Sequence, residues 1–365
     1  MSGHALGRCR SLTLLLVLAG CASSGSSGSS TSAARSTSSP VVDVRVVSDE
    51  AEAALAILEK QRRGTALEES DWNRLFASEG YRRLRQRESA MNRPFTDSSF
   101  RAFLLSDSLA RRAADLAAAV SRYASLDIHR AATQALAYLP VGATIRARLY
   151  PLIKPVPNTF VFTADSVAGI FLYVDPARSA AVESNTLTHE LHHIGYGTIC
   201  DAQADSTEPE AVRVLRQRLY GFGEGLAMLA AAGGPDIHPH QLGDTADRHR
   251  WDRDVAQLPA DMRTLERFFL DVLDRRITSP DSVVRVAITF YGVQGPWYTV
   301  GWQMASTIEK AYGRKRLLEV MCEPVLLMRT YNAAAAALGA RGAADLPLWS
   351  DELLRKLSGG AQGAR

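Results

Sequence analysis

The pattern of hydrophobic and polar positions changes near residue 141, from helix-like before it to strand-like after it. Between residues 42 and 140 the chain has the pattern of one helix after another, and residues 51–60 are rich in alanine, leucine and glutamate. Thr96-Asp97 marks a helix start, because threonine caps a helix and an acid suits its first turn. We therefore predict a helical lobe over residues 41–140.

Strand-like segments follow. Residues 144–152 alternate polar and apolar side chains, residues 158–163 contain Phe-Val-Phe, and residues 169–174 read Gly-Ile-Phe-Leu-Tyr-Val. We predict short antiparallel strands here, and helices again over residues 187–194, 211–219 and 297–312. The predicted fold class is α+β, mainly α.

One of these helices carries a metal-binding motif. Residues 188–193 read Thr-His-Glu-Leu-His-His, which contains His-Glu-x-x-His. On a helix, His189 and His193 lie one turn apart on one face, so both imidazoles can reach one metal ion, while Glu190 can reach a water on that ion. The alternative is a polar helix whose histidines are solvated or satisfied in the core. His192 lies on the flank, where we expect an outer-shell or exposed side chain.

A third ligand is expected further along the chain. Glu224 is the only acid in the helical segment Gly-Glu-Gly-Leu-Ala-Met-Leu-Ala, and a buried carboxylate is costly unless it is paired or bound to a metal. We therefore predict that Glu224 is the third ligand. Its neighbours Gly223 and Gly225 either allow close helix packing or only cap the helix. His238 or His240, in a turn that contains proline, could face the site, but histidines in such a turn are more often at the surface.

The first forty residues read as targeting and tether segments. Arg8 and Arg10 precede a short apolar run, as in a signal peptide. The run ends in Leu-Ala-Gly-Cys, which resembles the lipobox of bacterial lipoproteins, so Cys21 is the expected lipidation site. A plain secretory signal is the alternative. Residues 22–40 are almost all Ser, Gly, Ala and Thr, a composition typical of a flexible tether.

Composition narrows the choice of partners and of compartment. Loss of Arg8 and Arg10 lowers the net charge from +3 to +1, which gives no indication of nucleic-acid binding. Beyond Cys9 and Cys21, the remaining cysteines are Cys200 and Cys322. These two could pair in an oxidising periplasm, and the sequence leaves their pairing open.

The two motifs together resemble a known group. His-Glu-Leu-His-His at 189–193 and Gly-Glu-Gly-Leu-Ala at 223–227 are similar to gluzincin-type zinc metallopeptidases. More narrowly, residues 50–335 resemble an uncharacterised family of bacterial zinc-dependent peptidases. The resemblance implies Zn²⁺ held by His189, His193 and Glu224, with Glu190 as general base. Where thermolysin-like enzymes have an aspartate that orients a histidine, this chain has Met228.

The helix at 297–312 offers one more candidate. Some gluzincins use a tyrosine or histidine to stabilise the oxyanion, and Tyr298 is our candidate for that role. The alternative is that Tyr298 belongs to the core.

We therefore predict a zinc metallopeptidase with a zincin-like core, acting on a peptide or protein and anchored as a lipoprotein in the bacterial envelope, at the outer membrane facing the periplasm. The alternatives are a zinc-stabilised binding or assembly lipoprotein without activity, and a hydrolase of a non-peptide amide. The predicted segments are a signal peptide (1–20), a tether (21–40), the helical lobe (41–140), the zinc metallopeptidase-like domain (141–345) and a C-terminal helix and tail (346–365).

Overall fold

Four short strands form one mixed sheet, and helices make up most of the remaining chain. The structure is a computed structural model that describes residues 42–163, 167–200 and 207–358. The strands are β1 (Val42–Val46), β2 (Ile145–Leu152), β3 (Phe160–Phe162) and β4 (Ala168–Tyr173). They lie in the order β1-β2-β4-β3, so β1 and β3 form the two edges. The predicted class, α+β and mainly α, is confirmed.

The strand directions differ from the antiparallel pairing that we predicted. β1 and β2 are parallel, β2 and β4 are parallel, and only β3 and β4 are antiparallel. Parallel neighbours need a long crossover connection, which the helices between β1 and β2 provide. Strand direction depends on such connections and cannot be deduced from the alternation of residues within a strand.

β1 lies in a stretch that we predicted to be wholly helical. Val42, Val44 and Val46 alternate with charged residues, and Val44 pairs with Ala147 of β2. The five residues are too few to stand out against the long helical run that follows. The sheet therefore combines one strand from before the predicted boundary at residue 140 with three strands from after it. The division into segments stays a prediction.

Along the chain, one set of helices lies between β1 and β2, and a second set follows β4. Those before β2 are α1 (Asp49–Arg62), α2 (Glu69–Ala77), α3 (Glu79–Ala90), α4 (Asp97–Leu104), α5 (Asp107–Arg111), α6 (Ala113–Ala124) and α7 (Ile128–Leu136). Those after β4 are α8 (Ala180–Gly197), α9 (Glu210–Leu219), α10 (Gly223–Ala232), α11 (Thr245–Ala256), α12 (Leu258–Leu273), α13 (Pro280–Thr289), α14 (Pro296–Tyr312), α15 (Arg314–Val320), α16 (Pro324–Gly339) and α17 (Asp351–Ser358).

Helix α8 carries the metal-binding motif. Ser179 caps its first turn by accepting a hydrogen bond from the Val182 amide at 3.3 Å. Leu187, Leu191 and Ile194 form the predicted buried stripe. Full burial of a leucine side chain stabilises a fold by about 1.5–3 kcal/mol, so this stripe holds the opposite face of α8 in a fixed direction.

Two hydrophobic clusters meet at α8. The first combines α1–α7, the sheet and the buried stripe of α8. The second consists mainly of side chains from α9, α10 and α12–α17, and Tyr196 near the end of α8 belongs to it. The helix with the motif is therefore held by both clusters.

Helix α10 packs unusually closely on α14. A Cβ atom at Gly225 would lie 2.0 Å from the Trp302 amide nitrogen, and one at Gly301 would lie 2.6 Å from the Phe222 carbonyl oxygen. Of the two alternatives that we left open for the glycines, close packing is thus the one that holds for Gly225. The contact fixes the position of Glu224, the residue before it.

Cys200 and Cys322 form a disulfide with a Cα–Cα distance of 4.7 Å, which answers the question that the sequence left open. The bond joins the segment after α8 to the turn between α15 and α16. Within the described residues, every helix is too short or too polar to cross a lipid bilayer. Cys21 and the tether lie outside the described residues.

Candidate metal centre

The two histidines of the motif converge as the helical spacing predicts. His189 Nε2 and His193 Nε2 lie 3.0 Å apart, and the two rings are nearly perpendicular, at 80°. Both side chains are largely buried, which removes competing water from the site.

Glu224 reaches the same point from α10. Its Oε2 atom lies 3.3 Å from His189 Nε2 and 3.1 Å from His193 Nε2. A tetrahedral ion with bonds of about 2.1 Å separates its ligand atoms by about 3.4 Å. The observed separations are close to that value, and two imidazoles with one carboxylate are a donor set that suits zinc. His189, His193 and Glu224 therefore fit one zinc ion, and they leave a fourth position for water or substrate.

The charges of these groups favour a cation at this point. Burial alone would raise the pKa of Glu224, but the charge of His193 and hydrogen bonds from both imidazoles lower it well below its ordinary value. In turn, burial would lower the pKa of His193, but the Glu224 carboxylate raises it to about 9. The carboxylate is therefore anionic, and its positive partner is either the protonated His193 ring or a metal ion that displaces that proton.

Glu190 lies beside this group and is not one of the three converging residues. Its side chain is buried, with 8% of its surface exposed, and it lines the cavity that opens onto the site. Burial raises the pKa of Glu190, while the adjacent His189 and His193 lower it in part. A carboxylate with a raised pKa is better matched to accepting a proton near neutral pH. Its catalytic role stays a prediction.

Tyr298 combines features of both alternatives that we considered for it. Its ring lies parallel to that of His189 at 6.2 Å, and the side chain also packs against the second hydrophobic cluster. Burial and the nearby Glu224 carboxylate raise the pKa of Tyr298, so its hydroxyl stays protonated and can donate a hydrogen bond. Tyr298 lines the cavity, so it can reach a substrate bound there. Its role in stabilising the oxyanion stays a prediction.

His192 is neither exposed nor close to the metal ligand atoms. Its ring is completely buried, and Nε2–H donates to the Tyr138 carbonyl oxygen at 3.2 Å. Burial lowers the pKa of His192 to about 3, so the ring is neutral. His192 is not among the three converging residues, as expected, but the alternative of an exposed side chain is wrong, because the flank of α8 that carries His192 packs against the segment after α7.

A cavity of about 680 Å³ opens in front of the site, lined on one side by His189 and Glu190. Met228 lines it too. His240 and Gln294 line the cavity as well, so for His240 the alternative that it faces the site is the one that holds. The path of the loop before α11 places His240 at the cavity. The local sequence gives no indication of that path.

Asn185 also lines the cavity, and the sequence did contain a signal for it. It precedes His189 by four residues, which places it on the same face of α8 one turn earlier. Gln294 gives no such signal. It has a positive φ of 64°, a conformation that non-glycine residues rarely adopt.

The fold and the site together define a metal-binding, mainly helical α+β protein whose two histidines on one helix and glutamate on a later helix suit zinc. A comparison with known families then shows to which family the chain belongs. It belongs to the family described as putative zinc dependent peptidase (DUF5700), whose model matches residues 72–339. No curated protein and no solved structure matches the chain. The prediction of zinc as the cofactor and the expected relation to zinc-dependent peptidases are thereby confirmed.

Proposed function

We propose that the protein is a gluzincin-type zinc peptidase that hydrolyses peptide bonds at the cavity in front of α8. The observation that carries this proposal is the convergence of His189, His193 and Glu224 at tetrahedral spacing, with the Glu190 carboxylate beside them. A purely structural zinc site is closed by four protein ligands, whereas the described part of the chain brings three to this site, which faces a cavity.

The side chains divide the work of hydrolysis. Bound zinc would supply a Lewis acid for the scissile carbonyl and would lower the pKa of a water. The Glu190 carboxylate accepts one proton from the attacking water while the water oxygen bonds to the carbonyl carbon. Tyr298 donates a hydrogen bond to the carbonyl oxygen, where negative charge develops. Glu190 then passes its proton to the leaving nitrogen, and the C–N bond breaks to give a carboxylic acid and an amine.

The sheet supports a peptide as the substrate. β3 is an edge strand, its pairing among the described residues is with β4 alone, and Thr159 just before it lines the cavity. An extended peptide can add to such an edge through main-chain hydrogen bonds. This arrangement favours a peptide over a non-peptide amide.

A digestion experiment tests the proposal. The zinc-loaded full chain is incubated with a broad peptide library, and the products are read by mass spectrometry, with a chelator-treated sample as control. We expect cleavage that is lost with the chelator and returns with added zinc. A protein that binds zinc stoichiometrically and cuts no peptide would instead be a zinc-stabilised binding protein.

We also propose that the mature protein is lipid-anchored through Cys21 and faces the periplasm from the outer membrane. The lipobox and the tether support the anchor, and the Cys200–Cys322 disulfide supports an oxidising compartment. Cys21→Ser should abolish labelling by a fatty-acid probe and release the protein from membranes. Membrane association of a processed, lipid-modified Cys21→Ser variant would contradict the anchor.

A further inference from the structure

We call the cavity of about 680 Å³ in front of His189 and Glu190 the metal cavity. A second cavity, of about 320 Å³, adjoins the metal cavity. We call it the side cavity. The residues Asn185, Pro239 and Leu242 line both, so the two cavities are neighbours across the loop before α11. The side cavity is bounded by α7, by the first half of α8 and by the carboxyl end of α10.

The side cavity lies at a defined distance from the site of hydrolysis. Asn185 precedes His189 by one helical turn, which is about 6 Å along the axis of α8. An extended peptide advances about 3.3 Å per residue. A peptide that lies along α8 with its scissile bond at the metal site therefore presents a side chain to the side cavity about two residues away.

The side cavity has an excess of positive charge. Arg130 lines it, and the described contacts include no ion pair of its guanidinium. No carboxylate is among the lining residues. The other cationic candidate, His238, is paired with Asp252 at 3.1 Å.

The carboxyl end of α10 does not cancel this charge. The Gln134 amide donates to the carbonyl oxygens of Ala230 and Ala231, at 3.0 and 2.8 Å, and so satisfies two of the last acceptors of that helix. The metal cavity, by contrast, is lined by four carboxylates, of Asp175, Glu190, Asp244 and Asp247, and by two arginines. Arg178 and Arg250 pair with Asp175 and Asp247, so the carboxylates of Glu190 and Asp244 stay in excess. An anionic substrate group is therefore better accommodated in the side cavity.

Apolar side chains complete the lining. Ile237 and Leu242 are 39% and 52% exposed, a high exposure for large aliphatic residues, and both line the side cavity. They offer a surface for the methylene groups of a long side chain, while Arg130 offers a planar fork of donors to its tip.

We propose that the side cavity is a specificity subsite that binds an acidic side chain, glutamate above all, about two residues from the scissile bond. This inference rests on the proposed peptidase function and names a feature of its substrate. An arginine and a carboxylate form two parallel charge-assisted hydrogen bonds, which a lysine or glutamine at that substrate position cannot form.

Charge reversal tests the subsite. Blocked peptides that differ only by Glu, Gln or Lys at each position around the cleaved bond are digested by the zinc-loaded full chain. For wild type we expect kcat/KM to favour Glu over Lys at least about tenfold at one position, and Arg130→Glu should invert that preference at the same position. Arg146→Glu, at an exposed arginine that lines neither cavity, serves as the control and should leave the preference unchanged.

The outcomes separate the two proposals. If wild type cleaves peptides without a preference for Glu, or if Arg130→Glu keeps the wild-type preference at full zinc content, the subsite is refuted while the peptidase function stands. If wild type cleaves no peptide, the proposed function fails, and the subsite fails with it. Because Arg130 is exposed, its replacement leaves the hydrophobic clusters intact.

Discussion

Glu224 contributes the only negative charge among the three converging metal-site residues. Its side chain is 17% exposed, and its carboxylate contacts the imidazoles of His189 and His193 and forms a hydrogen bond with the Tyr298 hydroxyl. Anionic ligands bind a divalent cation more strongly than neutral ones, so the free energy of zinc binding should depend strongly on this side chain.

Replacing Glu224 by alanine should therefore weaken zinc binding at least about 100-fold, because even outer-shell partners change metal affinity about 10- to 100-fold. Competition with a fluorescent chelator measures the affinity. Glu210→Ala, an exposed acid in the first turn of α9, is the control. A folded Glu224→Ala variant with wild-type affinity would exclude Glu224 from the zinc site.

The sequence predicted the converging residues but not the full cavity. His189, Glu190 and His193 share one helix, so local spacing fixes their geometry. Glu224 could be found because a lone acid in an apolar helix needs a partner. His240 and Arg130 gave no comparable signal, since loop path and helix packing decide which surface they face.

The sequence predicted secondary-structure elements correctly where their hydrophobic periodicity was strong. The prediction failed where an element depends on pairing with a distant part of the chain. The strands at β2, β3 and β4 and the helix α14 lie where they were expected. β1 and its parallel pairing with β2 were missed, because they depend on a crossover of about a hundred residues. The parallel pairing of β2 with β4 was missed because β3, which lies between them in the chain, pairs at the outer edge of β4. The contact between α10 and α14 depends on glycines at both helices, and it links the Glu224 helix to the Tyr298 helix.

Gly225→Ala should separate these two helices, because the new Cβ atom would lie 2.0 Å from the Trp302 backbone. We expect a loss of about 2–3 kcal/mol in the free energy of unfolding, together with weaker zinc binding. Urea titration measures the first quantity. Gly197→Ala is the control, since a Cβ there meets nothing within 4 Å and should stabilise α8 slightly. Equal stability of the two variants would contradict the close packing.

The contact between α1 and β2 predicts a pH dependence of stability. Glu50 on α1 is completely buried and accepts a hydrogen bond from the Ile153 amide at 3.0 Å. Burial raises the pKa of Glu50 from 4.5 to about 8, so the folded protein keeps its proton where the unfolded chain has lost it. Its stabilising contribution is complete below pH 4.5 and declines by about 1.4 kcal/mol per pH unit up to about pH 8.

Glu50→Gln keeps the shape and the accepting oxygen and removes the titration. We expect the variant to be more stable than wild type at pH 8 and to lose this pH slope, as measured by urea titration between pH 5 and 8. Glu52→Gln, at an exposed position of the same helix, is the control and should keep the wild-type slope. An unchanged slope in Glu50→Gln would show that Glu50 is ionised in the folded protein.

The disulfide connects distant parts of the chain. Cys200 and Cys322 are separated by 122 residues, and the bond between them ties the end of the metal-binding helix region to the C-terminal helices. A crosslink over a loop of this length stabilises a fold by about 4–5 kcal/mol, mainly by restricting the unfolded chain.

Replacement of Cys200 and Cys322 together by alanine should lower the free energy of unfolding by about that amount. The same loss should occur when wild type is unfolded in a thiol reductant, and the double variant should be insensitive to the reductant. Thiol titration of the unfolded wild-type protein provides an independent check. Two free thiols in protein from an oxidising compartment would contradict the bond.

The most direct test of a zinc peptidase with Glu190 as its base measures zinc content and turnover on one purified Glu190→Gln variant. Glutamine keeps the shape of the side chain and removes the proton acceptor. The account predicts zinc content equal to wild type and a fall in kcat of at least about 100-fold on a peptide that wild type cleaves, with little change in KM. Turnover within tenfold of wild type at full zinc occupancy would remove Glu190 from the mechanism.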